Sequence, residues 1–127
     1  MTKDDRYFVE ITPHEQVYLY IAQIDGNGIL DPVFPNPSFS SKLNPVMANM
    51  EYRFPESDNF YLSGITGREE YIYLIASVFP NQILDAIFDR IQRKTDQSSS
   101  IRLSSEFLDI FNKQDPSCTK KVWFWHK

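Results

Sequence analysis

Two segments constrain the fold more than any other feature of this chain. Val17–Ile24 (VYLYIAQI) and Tyr71–Phe79 (YIYLIASVF) are rich in β-formers and apolar at nearly every position. A strand with one wet face alternates apolar and polar residues, so a run apolar throughout belongs to a strand covered on both sides. Whatever the chain folds into must lay material against both faces of these two strands.

The surrounding sequence supplies that material. Arg6–Ile11 alternates loosely and stops at Thr12-Pro13. After Val17–Ile24, the turn Asp25-Gly26-Asn27-Gly28 leads into Ile29–Phe34. Asp-Gly and Asn-Gly between apolar runs are strong hairpin signals, because Gly and Asn tolerate positive φ. Phe34–Pro45 then holds Pro35, Pro37 and Pro45 and shows no periodicity. It reads as a loop of about ten residues, longer than most connections. Met50–Phe54 and Phe60–Ile65 read as short strands, with a turn at Thr66-Gly67-Arg68.

At Pro80 the period changes. Ile83, Leu84, Ile87, Phe88 and Ile91 recur at helical spacing, with Asp85, Asp89, Arg90 and Arg93 on the other face and Asn81 placed to cap. This predicts a helix over about 82–94, fading through Lys94–Ser100. A second short helix is predicted over about 105–112, carrying Phe107, Leu108 and Phe111, with Ser104 as its cap. Lys121–His126 closes the chain as a strand, Trp123 and Trp125 on one face, Val122 and Phe124 on the other. Strands first, then two helices, then one strand predict an α+β, mainly β fold: an antiparallel two-layer, sandwich-like sheet system with two helices inserted before the last strand. The 127 residues fit a single domain, 1–127, with a strand-rich part over 6–79.

Composition excludes several classes of function. With 13 basic against 17 acidic residues, and no basic run, phosphate-backbone binding is not expected and nucleic acid is no partner. The acidity is uneven: residues 1–64 carry four basic and nine acidic side chains, residues 65–127 nine and eight. The lone Cys118 makes neither an internal disulfide nor a Cys-cluster zinc site. No run reaches the roughly 20 apolar residues of a membrane span, so membrane insertion is not expected. The start, Met1-Thr2-Lys3-Asp4-Asp5-Arg6, is not that of a signal peptide. The expectation is a cytoplasmic chain, or an exported or membrane-attached one if it is a fragment of something longer.

The succession Tyr18-Leu19-Tyr20-Ile21, Asp25-Gly26-Asn27-Gly28, Phe34-Pro35-Asn36-Pro37, Tyr52-Arg53-Phe54-Pro55, Gly67 with Glu69, and Leu74-Ile75-Ala76-Ser77 resembles a bacterial family, the domain of unknown function 4384. The resemblance spans about residues 17–80. It implies a β-rich accessory domain of the kind attached to serine/threonine kinases and caspase-like peptidases or found in exported lipoproteins. It implies no catalytic residues. This chain shows no lipobox Cys near its start and no kinase or peptidase sequence.

No motif carries a reaction. Asp25–Asp31 fails as an EF-hand loop: counting from Asp25, the required oxygen at position 5 is Ile29, the Gly at 6 is Leu30 and the Glu at 12 is Asn36. No metal or cofactor is expected there or elsewhere. His14 and His126 have no ligand or carboxylate at a known spacing. Glu69 and Glu70 read with Glu51 as solvated carboxylates, and Arg90–Lys94 as the cationic end of a helix. Trp123 and Trp125 with Tyr71 and Tyr73 read first as sheet packing, and second as an aromatic ledge. No Gly-x-Ser-x-Gly elbow or phosphate loop occurs among the four glycines.

These observations favour a non-catalytic accessory or binding domain, not an enzyme, whose partner is another protein or the rest of a larger assembly. The contact is expected on the proline-stiffened loop, at Phe34, Asn36, Phe39 and Leu43. Two alternatives stand beside it: a small hydrolase using Cys118 with His126, and a small-ligand sensor with an aromatic pocket between sheet and helices.

Overall fold

The structure is a computed structural model. It describes residues 6–25, 28–56, 60–61, 68–93 and 97–126, with side chains except at 6–7, 60–61, 68–70, 97–101, 116 and 122–126. The chain runs through β1 (Arg6–Tyr7), β2 (Val9–Ile11), β3 (Tyr18–Ile24), β4 (Leu30–Phe34), β5 (Tyr52–Phe54), β6 (Phe60–Tyr61) and β7 (Arg68–Ser77). The helices α1 (Gln82–Arg93) and α2 (Gln97–Lys113), a 3-10 turn at Pro116–Cys118 and β8 (Thr119–His126) follow. The fold is mainly antiparallel β with two helices before the last strand, as the sequence predicts.

The centre is a four-stranded sheet in the order β4-β3-β7-β8. The two doubly apolar segments lie side by side in it, from Tyr18 opposite Ser77 to Ile24 opposite Tyr71. Successive side chains alternate between faces. Tyr20, Ala22, Ile24, Tyr73 and Ile75 therefore pack in one core with the helices. Leu19, Ile21 and Ile72 pack in a second core with Phe34, Val46, Tyr52 and Phe54, which puts the β2–β5 pair over the opposite face.

On the helical side, Asn81 caps α1: its Oδ1 accepts the Leu84 N–H at 3.0 Å. Leu84, Ile87, Phe88 and Ile91 are buried. Tyr20 ties the helix start to the sheet, its hydroxyl donating to Asp85 Oδ1 at 2.9 Å and accepting the Asn81 N–H at 3.2 Å. Burial holds this phenol well above its ordinary pKa.

Three sequence expectations need correction here. Ile83 is 65% exposed; one position before Leu84, it turns about 100° away from the sheet, at the rim of the apolar stripe. β7 stops at Ser77, leaving Phe79 74% exposed. Pro80 disfavours the helical region for Phe79 and offers no N–H, and the chain turns out of the sheet before it. The second helix begins at Gln97, so Ser104 lies within it and is buried, not its cap. Leu103 and Phe107, one turn apart, pack with Tyr73 and Phe88; this anchorage outweighs the weak helix propensity of Ser98-Ser99-Ser100. The expected turn at Gly26-Asn27 and the remainder of Phe60–Ile65 and Thr66-Gly67 lie outside the described residues, but Gly28 adopts φ +81° and β3 pairs with β4 as a hairpin.

Candidate interaction surface

The proline-rich loop after β4 is held at both ends. Near its start, Asn36 Nδ2 donates to the Pro32 carbonyl at 2.7 Å, and Asn36 Oδ1 accepts the Ser38 N–H at 3.0 Å. Glu56 then pins the middle. Its Oε1 accepts the Ser40 hydroxyl at 2.7 Å, the Ser41 hydroxyl at 3.1 Å and the Ser41 N–H. The Ser40 hydroxyl and the Ser41 donors hold the Glu56 carboxyl below its ordinary pKa.

The far end is fixed by Asn44. Its side chain bonds both backbone groups of Leu19, accepting the N–H at 2.8 Å and donating to the carbonyl at 2.9 Å. Val46 continues this pairing, exchanging two hydrogen bonds with Val17 at 3.1 and 2.8 Å. β4 pairs with β3 only from Ile21 onward. The loop therefore completes the β3 edge where β4 has ended. Prolines exclude a regular strand there, and one amide side chain substitutes for a missing peptide group.

Leu43 sits between these anchors and is 77% exposed. The other loop candidates are placed differently. Phe34 is fully buried, its ring 4.5 Å from that of Phe54. It is corrected from a contact residue to a core residue, because β4 carries it into the second core. Asn36 spends its amide on Pro32 of β4 and Ser38 of the loop, and Phe39 is partly buried.

Sequence reasoning missed the other exposed apolar side chains. Val78 leaves β7 after Ser77, the partner of Tyr18, and so lies at the sheet end marked by Val17. Met47 follows Val46 at the same end. Val78 and Phe79 are 61% and 74% exposed, and Met47 and Ile83 are also exposed. The signal was Phe79-Pro80: an aromatic before a proline and a helix cap is poorly placed for a strand interior.

Two adjoining clefts open over the β2–β5 pair. One, of about 270 Å³, is lined by Glu10, Ile11, Thr12, Glu51, Tyr52 and Arg53. The other, of about 240 Å³, shares Glu51, Tyr52 and Arg53 and adds Lys42 and Glu56. The Arg53 guanidinium lies 4.3 Å from the Phe8 ring centre and donates to the Pro55 carbonyl at 2.6 Å.

The remaining candidates are not brought together. Cys118 is exposed just before β8, and His126 ends that strand. An eight-residue strand at about 3.3 Å per residue separates them by well over 20 Å, so they form no dyad within one chain. Between sheet and helices the aromatic rings pack on one another: Tyr73 lies 6.0 Å from Phe107 and 4.9 Å from Phe111, and Tyr20 5.8 Å from Phe88. Glu69 and Glu70 are successive positions of β7, and the side chains of Trp123 and Trp125 lie outside the described set. Asp25 Oδ1 accepts the Ile29 N–H at 3.1 Å, as a turn residue does. Among the described residues no three His, Cys, Asp or Glu side chains group to hold a metal ion, and no helix is long and apolar enough to cross a membrane.

The family profile described as Domain of unknown function (DUF4384) matches residues 2–82. The chain belongs to the DUF4384 family. The match runs from the N-terminal strands through β7 and ends as α1 begins. Two of the DUF4384 resemblance segments meet in space: Phe34 of Phe34-Pro35-Asn36-Pro37 packs on Phe54 of Tyr52-Arg53-Phe54-Pro55. Those segments of the DUF4384 domain build its second core and the start of its anchored loop. No curated protein and no solved structure matches the chain at a significant level.

Proposed function

We propose that this DUF4384 domain is a non-catalytic accessory module that binds another protein through the sheet end bearing Leu43, Val78 and Phe79. The observation that carries the reading is Leu43, 77% exposed on a loop fixed on either side by Glu56 and Asn44. A loop already held in place in the free protein loses little entropy on binding. The separation of Cys118 from His126 by the length of β8 supports the non-catalytic half of the proposal.

The test is a Leu43→Ser, Phe79→Ser double variant in affinity capture from the source cell, with melting temperature measured alongside. The expected result is a native melting temperature and loss of one discrete partner. Capture of the same partner by both forms overturns the proposed surface.

A further inference from the structure

The loop after β4 is tied down by two kinds of side chain. Asn36, Asn44 and Gln92 hold it through amides, which carry no charge at any pH. Glu56 holds it through a carboxylate. A single oxygen, Oε1, accepts the Ser40 hydroxyl at 2.7 Å, the Ser41 hydroxyl at 3.1 Å and the Ser41 N–H. Ser40 passes the constraint on. It is buried, and with its hydroxyl proton turned to Glu56 it presents a lone pair to the Lys42 N–H at 3.0 Å. One acceptor thus faces three donors, an arrangement suited to the ionised carboxylate. Charge-assisted hydrogen bonds are about twice as strong as neutral ones. A protonated carboxyl keeps only a neutral acceptor and adds an O–H among groups that are themselves donors. A serine hydroxyl can rotate to accept it; the Ser41 N–H cannot.

From this contrast we infer that Glu56 is an acid-operated clasp: its protonation frees Ser40–Leu43 to move between ends that stay fixed, a local opening of the loop and not an unfolding of the domain. The near end is kept by the Glu56 N–H, which donates to the Phe39 carbonyl at 2.9 Å. The far end is kept by the two bonds between Asn44 and Leu19. None of these involves a titrating group. The charged side chains that share a cleft with Glu56 are Lys42 from the loop and Glu51 and Arg53 from β5. Lys42 favours the ionised carboxyl, as the three donors do, so release falls below 4.5. Arg53 is turned to the Phe8 ring and the Pro55 carbonyl, and Glu51 accepts none of the three donors. Leu43 lies in the released segment. That acid thereby removes an ordered Leu43 from a partner rests on the binding reading above; the opening itself does not.

The test is amide hydrogen exchange on the intact chain, followed by NMR from neutral pH to about pH 3, with each rate taken relative to an unstructured peptide at the same pH. The Ser41 N–H reports on the clasp, and the Leu19 and Val46 N–H groups report on the fixed far end. In the unaltered chain the protection of Ser41 is expected to fall about tenfold on acidification, while that of Leu19 and Val46 holds. The side chain of Glu56→Gln is a neutral acceptor at every pH, so its Ser41 is expected to be weakly protected throughout, with no such fall. No partner enters the measurement, so a failure of the Leu43 surface in cells and a failure of the clasp are separate results. Ser41 protection that does not change with pH, a fall shared equally by Leu19 and Val46, or the same fall in Glu56→Gln would each overturn the inference.

Discussion

The side-chain amide of Asn44 bonds the backbone of Leu19 twice, taking its N–H at 2.8 Å and giving to its carbonyl at 2.9 Å. Asn44→Ala leaves both groups without that partner on a strand whose Leu19 side chain is buried. The expected loss is about 1–3 kcal/mol, read as a lower urea midpoint with unchanged slope. Asn44→Asp keeps an acceptor but not the donor and should be less stable than Asn44. A midpoint unchanged in Asn44→Ala would show that the loop adds nothing to the β3 edge.

Tyr20 joins sheet to helix through its hydroxyl, 2.9 Å from Asp85 Oδ1. Tyr20→Phe keeps the buried ring and removes that bond together with the acceptor for the Asn81 N–H. Chemical denaturation should show a loss of about 1–2 kcal/mol. In Asp85→Asn the hydroxyl still finds an acceptor, so that variant should lose less; the reverse order would contradict the assignment.

Phe34, the last residue of β4, and Leu43, nine positions further on in the loop, should behave oppositely. Phe34→Ala empties space beside Phe54 and is expected to cost about 3–5 kcal/mol. Leu43→Ser should stay within about 0.5 kcal/mol, as exposed substitutions do. Equal losses would mean that Leu43 is packed rather than presented.

The loop also carries a pH dependence. Hydrogen bonds from Ser40 and Ser41 lower the Glu56 pKa below its ordinary 4.5 in the folded state. The unfolded chain thus takes up the proton first as pH falls. The stabilisation is complete above 4.5 and is lost as pH drops through the lower folded value. Melting temperature should fall over that window and fall less steeply in Glu56→Gln. Parallel profiles for the two proteins would remove Glu56 from the linkage.

The double apolarity of Val17–Ile24 and Tyr71–Phe79 made the central sheet and its two covers legible, because burial on both faces leaves no polar alternation to misread. The start of α2 was not: Ser98-Ser99-Ser100 has low propensity, and only the packing of Leu103 and Phe107 extends the helix. The loop as a site was half legible. Its prolines marked where a strand could not form, but nothing local distinguishes buried Phe34 from exposed Leu43. That depends on Phe54, twenty residues further on, and on Leu19, on another strand. Phe79 is apolar enough to extend the strand pattern, but the proline that follows it turns the chain out of the sheet.

The central claim is that the sheet end around Leu43 and Phe79 faces a partner. Photo-crosslinking from a benzophenone side chain in the source cell tests it, placed in turn at Leu43, at Phe79, and at Arg90, which is exposed on α1. The expected result is one and the same protein adduct from positions 43 and 79 and none from 90. No adduct from 43 and 79, or an equal adduct from all three, would contradict the claim.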